Sequence, residues 1–433
     1  MNNRSLVLGL ALLVSGIALA DETCNSPYMT GLIKGQEDFI HVWTLGVEGL
    51  GDGSDKLVTI DVNPKSSSYG KPVYSISVGE RGEAHHMGFT DDRKQLWAGG
   101  LDSNQIYVFD VGTNPAQPKL VKTITDLGKH TGYLGPHTFY ALPGRMLVAS
   151  LSNVAKKDGV TGLALYNNNA DFIAKYPMPV GKLGTGTGTG TGDGYGYDIA
   201  INPARNVILT SSFAGWNNYM RDLGEVVGDP AAMKQFGNTM VMWDLKAMKP
   251  SQVFDVPGAP LEIRWSLKPG DNWAITATAL TSKLWLIRPD ATGHWQAKEV
   301  GTIGDPAKIP LPVDISITAD GKGLWVNTFM DGTTHYFDIS NPEHPVQTYA
   351  KQTGKQVNMI SQSWDGKRVY ITSSLLSKWD KKGADDEQFL RAYNWDGKEL
   401  TLAFETDFKA AKLGRPHHMK FTARPAGTAL ADL

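Results

Sequence analysis

Imidazole nitrogens are ligands for transition metals, and five of the ten histidines in this chain crowd into three short segments. These read Glu83-Ala-His-His-Met-Gly-Phe89, Gly135-Pro-His-Thr-Phe-Tyr140 and Arg415-Pro-His-His-Met-Lys-Phe421. Each sets one or two histidines where an alternating apolar run begins, which is where a strand starts. Packing alone gives no reason to repeat that pattern, because buried imidazoles without a ligand leave polar nitrogens to be satisfied. The chemistry suggested is metal binding. The plainer alternative is a hydrogen-bonded channel network with no metal. His41, His130, His294, His335 and His344 lie on other strands or in loops and do not share the pattern.

Segments so far apart must be brought together by the fold, and the sequence carries a repeat that does so. A unit of roughly 50 residues recurs, the period of a propeller blade. Its clearest copy runs from Val313-Asp-Ile-Ser-Ile-Thr318 through the turn Ala319-Asp-Gly-Lys322 to Gly323-Leu-Trp-Val-Asn327 and Thr334-His-Tyr-Phe-Asp338. Alternation broken by polar turns is what half-buried antiparallel strands require. Six such units fit between about residues 85 and 410 by that period. The chain ends supply a seventh, with His417–Phe421 as the inner strand for Phe39–Trp43, Lys56–Asp61 and Val73–Ser77. The expected fold is all-β: a seven-bladed β-propeller, its ring closed by pairing N-terminal strands with a C-terminal inner strand, which covers open strand edges. Helix should be scarce, with Asp229–Gln235 as one candidate.

Aligning the inner strands by their following turns puts His86, His137, Asp198, Glu262, Asp314, Met359 and His418 in one register. All but Met359 are histidine or carboxylate at the mouth of the channel. His85 and His417 precede that register by one residue, so strict alternation sends them the other way unless the backbone leaves strand geometry there. Arg264 reads as an ion-pair partner of Glu262. An imidazole set without a thiolate suits copper, zinc, iron or nickel.

The remaining features set bounds. Arg4, the apolar stretch Leu6–Leu19 and Ala18-Leu19-Ala20 make residues 1–20 read as a signal peptide, leaving 21–433 as one domain in the periplasm. That compartment favours copper. No later stretch is long and apolar enough for a membrane span, and a net charge of −2 gives no case for nucleic acid. The single cysteine, Cys24, excludes an intramolecular disulfide. Gly184–Gly192 lacks the lysine and helix of a phosphate loop and reads as an inter-blade connection. A homo-oligomer is compatible with the sequence, which has no feature that sets a subunit number.

The chain resembles the selenium-binding protein family, and within it the bacterial methanethiol oxidases. The resemblance runs through Cys24-Asn-Ser-Pro-Tyr-Met29, Lys56–Lys65, Glu83-Ala-His-His86, Gly135-Pro-His-Thr138, Gly194-Tyr-Gly-Tyr-Asp198, Leu261-Glu-Ile-Arg264, Asp338-Ile-Ser-Asn-Pro342, Asp365–Thr372 and Arg415-Pro-His-His418. It implies a seven-bladed propeller and a copper site whose ligands fall on His85, His86, His137 and His417, with His418 as a further candidate. It also implies a small thiol and O2 as substrates, methanethiol yielding formaldehyde, hydrogen sulfide and hydrogen peroxide. Asp314 or Glu262 is the expected catalytic carboxylate. Animal members carry a cysteine linked with selenium binding in the segment matching Ser66–Gly70, where this chain has Gly70. Two rival readings are a copper oxidoreductase for thiocyanate or another small sulfur compound, and a non-catalytic metal-handling propeller.

Overall fold

The computed structural model describes residues 26–183, 190–268, 270–380 and 387–424. Residues 1–20, read from the sequence as a signal peptide, Cys24 and most of the glycine–threonine run lie outside the described residues. Seven four-stranded antiparallel sheets follow one another around the ring, with a minor two-stranded pairing of Val180–Gly181 with Gly192–Asp193 beside them. The expected propeller is therefore the fold.

Blade 1 has strands Ala84–Phe89, Gln95–Gly100, Gln105–Asp110 and Lys119–Ile124. The inner strands of blades 2 to 6 are Tyr133–Leu142, Ile199–Asn202, Pro260–Trp265, Pro312–Ile317 and Ile360–Gln362. Blade 7 closes the ring as the sequence anticipates. Its inner strand Arg415–Thr422 pairs with Phe39–Leu45, placing Phe39 opposite Thr422 and Val42 opposite Met419. Lys56–Asp61 and Pro72–Ser77 complete that blade.

Apolar side chains fill the seams between blades. Trp43, Leu57, Met87, Phe89 and Phe109 pack between blades 7 and 1, and each such fully buried side chain contributes about 1.5–3 kcal/mol. Trp43 also donates its indole N–H to the Gly99 carbonyl at 2.9 Å, tying the closing blade to its neighbour.

Blade 1 approaches blade 2 closely because it carries glycines. A Cβ on Gly88 would fall 2.1 Å from the Phe139 carbonyl oxygen, and one on Gly99 2.5 Å from that of Pro136. Those two contacts set the position of the strand that carries His137.

Short helices are confined mainly to an insertion of blade 3, at Trp216–Tyr219, Leu223–Val227 and Pro230–Met233. The last is the anticipated helix, trimmed to one turn and capped by the Asp229 carboxylate on the N–H groups of Ala231 and Ala232. Another short helix, Leu127–Thr131, precedes blade 2. Among the described residues no helix is long and apolar enough to cross a membrane.

Replacing Gly99 with alanine should overpack the seam and lower stability by about 1–3 kcal/mol. Thermal unfolding followed by circular dichroism checks this; an unchanged midpoint would contradict the close approach.

Candidate metal centre

The inner strands do not run straight into the channel. In blade 1, Ala84 pairs with Gly100 and Met87 with Ala98, so His85 and His86 together face the single residue Gly99. In blade 7, His417 and His418 are opposed by Trp43 alone. Blade 2 repeats the bulge at His137 and Thr138, and blade 4 at Leu261 and Glu262. Blade 5 has its extra residue at Val313, ahead of Asp314. A bulge breaks strict alternation and re-aims side chains. That is how His85 and His417 reach the same spot as His86 and His418.

Residues just ahead of the bulges take left-handed backbone: Glu83, Ala259 and Leu311 all have φ near +60°, and Gly135 has φ +74°. Only glycine adopts that region freely, so three side-chain-bearing residues there mark a turn imposed by the surrounding structure.

The bulges correct one feature of the sequence alignment. Counted from them, His137 falls in line with His85, Leu261, Val313 and His417, and Thr138 takes its place beside His86, Glu262, Asp314 and His418. Turn counting missed this because the turn after the blade 2 strand is two residues, Leu142 pairing with Arg145, where blade 1 has four between Thr90 and Gln95. Tyr197 fills the corresponding place in blade 3, directly before Asp198, and was not singled out from the sequence. The residues preceding each strand, not the turns following it, carry the signal that would have found it.

All five histidines meet. Ring centroids lie 3.9 Å apart for His85–His417 and for His86–His137, 4.7 Å for His86–His418, and 4.9 Å for His85–His86. One ligand atom from each of His85, His86 and His417 lies within 4.8 Å of the other two. The carbonyl of Tyr197 accepts from His137 Nδ1 at 3.1 Å when that nitrogen carries the proton, which leaves Nε2 with its lone pair. Asn358 Nδ2 sits 3.2 Å from His417 Nδ1. Among the described residues, His85 Nδ1, His137 Nε2, His417 Nε2 and both ring nitrogens of His86 and of His418 have no hydrogen-bond partner. Orphaned buried nitrogens in such number are what a metal ion would satisfy. Burial, followed by repulsion from neighbouring imidazoles, holds His85 and His86 well below the ordinary histidine pKa, and burial pulls His417 down to about 3. Neutral imidazole is the form that binds metal.

Beneath the histidines lies a buried charge cluster. Arg264 donates to Asp314 at 2.8 Å, Glu262 at 3.1 Å and Asp198 at 3.4 Å. The ion pair expected between Arg264 and Glu262 is thus present, in a larger set. Three carboxylates around one guanidinium cannot all stay ionised out of water. Burial, then the charge of Asp198, pushes Glu262 well above the usual carboxylate range. Glu262 Oε1 stands 3.7 Å from His86 Nε2. Asp314 is engaged otherwise: Oδ1 also accepts from the Ile315 N–H at 2.8 Å, and Oδ2 from Ile360 N–H in the next blade at 2.8 Å.

The five remaining histidines behave as their positions suggested. His41 bridges Thr59 and Thr422 inside blade 7, and His335 meets Thr328 within blade 5. His130 pairs with Asp126 near the surface.

The profile of the 56kDa selenium binding protein family (SBP56) matches residues 19–431. The chain belongs to this family. A relative named methanethiol oxidase in Hyphomicrobium is 64% identical over 426 residues, covering 97% of this chain and 96% of its own. Another of that name in Ruegeria pomeroyi is 57% identical over 408 residues, covering 93% of each chain. The solved structure of a hypothetical selenium-binding protein from Sulfolobus tokodaii superposes with a TM-score of 0.79 at 24% identity, over 94% of this chain and 98% of that one, which supports the propeller fold.

Gly70 bears on the family's description. Its φ is +77°, and a Cβ there would fall 2.6 Å from Phe404 Cγ. This chain thus has neither a thiol at that position nor space for one in the present packing.

Replacing His137 with alanine should remove bound metal while the propeller stays folded, whereas His41→Ala should lower stability and keep the metal. Metal content by mass spectrometry, with circular dichroism alongside, distinguishes these outcomes.

Proposed function

We propose that this chain oxidises methanethiol with O2 and water to formaldehyde, hydrogen sulfide and hydrogen peroxide, at a copper ion held by His85, His86, His137 and His417 with His418 beside them. The observation that carries the reading is the set of converging, buried, unpartnered imidazole nitrogens. The two bacterial relatives named methanethiol oxidase support the substrate. Neutral nitrogen donors without thiolate suit copper. The equation balances: carbon loses two electrons, O2 gains them, and water supplies the formaldehyde oxygen.

Copper, when bound, supplies an electron path from sulfur to O2 and lowers the pKa of a coordinated thiol. The protein supplies the rest. Bulged strand ends fix the imidazoles, and the Tyr197 carbonyl sets the ring orientation of His137. Of the two carboxylates, Glu262 is the better suited to proton transfer. The pKa of its carboxyl is raised by burial and by Asp198 and it stands beside His86, whereas Asp314 is bound at both oxygens to backbone and arginine. Glu262 therefore takes up or releases a proton as the charge beside it changes.

We also infer export to the periplasm, supported by the charged, apolar and small-residue pattern of residues 1–20. Sequencing the exported protein should find Asp21 at its N-terminus.

Oxygen uptake on adding methanethiol should require copper and yield sulfide and peroxide together. Glu262→Gln should keep copper and lower turnover by about 10²–10⁴-fold, the usual weight of a general acid or base. Full activity in that variant would remove Glu262 from the mechanism.

A further inference from the structure

The histidines have an apolar ceiling that the metal chemistry does not use. Two insertions meet over the channel mouth, residues 211–238 of blade 3 and the segment that follows Arg368–Thr372 of blade 6. Trp379 donates its indole N–H to the Arg221 carbonyl at 3.1 Å and packs edge-on against Phe213 at 5.8 Å. The blade 6 segment is pinned from below. Glu83, two residues before His85, accepts from the Ser377 N–H at 2.8 Å and its hydroxyl at 2.6 Å. Asp380 accepts from Ser374 Oγ at 2.7 Å and from Arg415 at 3.2 Å, two residues before His417. The ceiling is thus fastened to the same strand mouths that hold the histidines.

Between ceiling and histidines lies a cavity. Its floor includes His85, and its walls include Leu261, Val313, Leu280, Leu376 and Trp379. Among the described residues, His85 and Tyr197 are the titratable side chains on it. The space is small, about 10 Å³, close to the least that holds a single water.

We infer that this cavity binds the alkyl group of the substrate and restricts it to the shortest uncharged thiols, with Leu280 and Leu376 setting the limit on chain length. The inference rests on the oxidase reading and adds the part of the site that chooses the substrate. Apart from His85 and Tyr197 the described lining side chains are hydrocarbon or, in Trp379, already hydrogen-bonded to the Arg221 carbonyl, so a charged or hydroxylated alkyl group would be desolvated with little compensation. A methyl group loses nothing there. A longer alkyl chain has no room, and in a hydrophobic pocket one methylene is worth about 10–200-fold in kcat/KM.

The test has two arms. Xenon, a small apolar probe, should bind the metal-free full-length protein as seen by xenon NMR, and binding should weaken when Ala279→Val fills the wall. In the copper-loaded protein, kcat/KM should fall at least tenfold from methanethiol to ethanethiol and again to propanethiol. Leu280→Ala and Leu376→Ala should each narrow that spread tenfold or more, and neither should admit a carboxylated thiol. No xenon binding, or a chain-length series unchanged in both truncations while methanethiol is still oxidised, overturns the inference. Xenon binding with no thiol oxidised by any variant supports the cavity and overturns the oxidase reading beneath it.

Discussion

The bulge at the mouth of the inner strand in blades 1, 2, 4, 5 and 7 is the constraint on which the rest of the site depends. A regular strand turns every second side chain to the axis. With one extra residue, blades 1 and 7 each turn a neighbouring pair inward, His85 with His86 and His417 with His418. Blade 2 adds His137 by the same device. Ring closure by the C-terminal strand then sets blades 7, 1 and 2 side by side. Without that closure the last two histidines would belong to an open edge.

The site is layered along the axis, and each layer answers a different physical demand. At the centre, burial keeps the imidazoles neutral and their nitrogens available. Below, Arg264 holds three carboxylates, and burial followed by the charge of Asp198 raises the pKa of the Glu262 carboxyl beside His86. Above, an apolar ceiling excludes water and is fastened by Glu83 and Asp380, next to the strands it covers. The charged layer meets the histidines at His86 and the apolar layer at His85.

Much of this was legible in the sequence. The repeat, the blade count and the closing strand followed from alternation and turn chemistry, because antiparallel blades are built from local signals. The five site histidines followed from their clustering, and the resemblance to the selenium-binding protein family led to the same residues. Two things were hidden. The register of His137 depended on how many residues the following turn leaves unpaired, two in blade 2 against four in blade 1, which only the strand pairing reveals. The ceiling depended on Leu376 and Trp379 reaching across to a different blade, a contact between segments more than 130 residues apart in which each is only another apolar side chain. Arg264 stood between: its pairing with Glu262 was readable from their spacing, while Asp198 and Asp314 joined through the ring.

The central claim is that one copper ion lies among the histidines of blades 7, 1 and 2. Anomalous diffraction at the copper edge from crystals of the copper-loaded protein tests it most directly. The account predicts a single strong peak on the propeller axis, bonded to ring nitrogens of His85, His86, His137 and His417. Copper found only at surface residues, or a fully active protein with no peak among these rings, would contradict it.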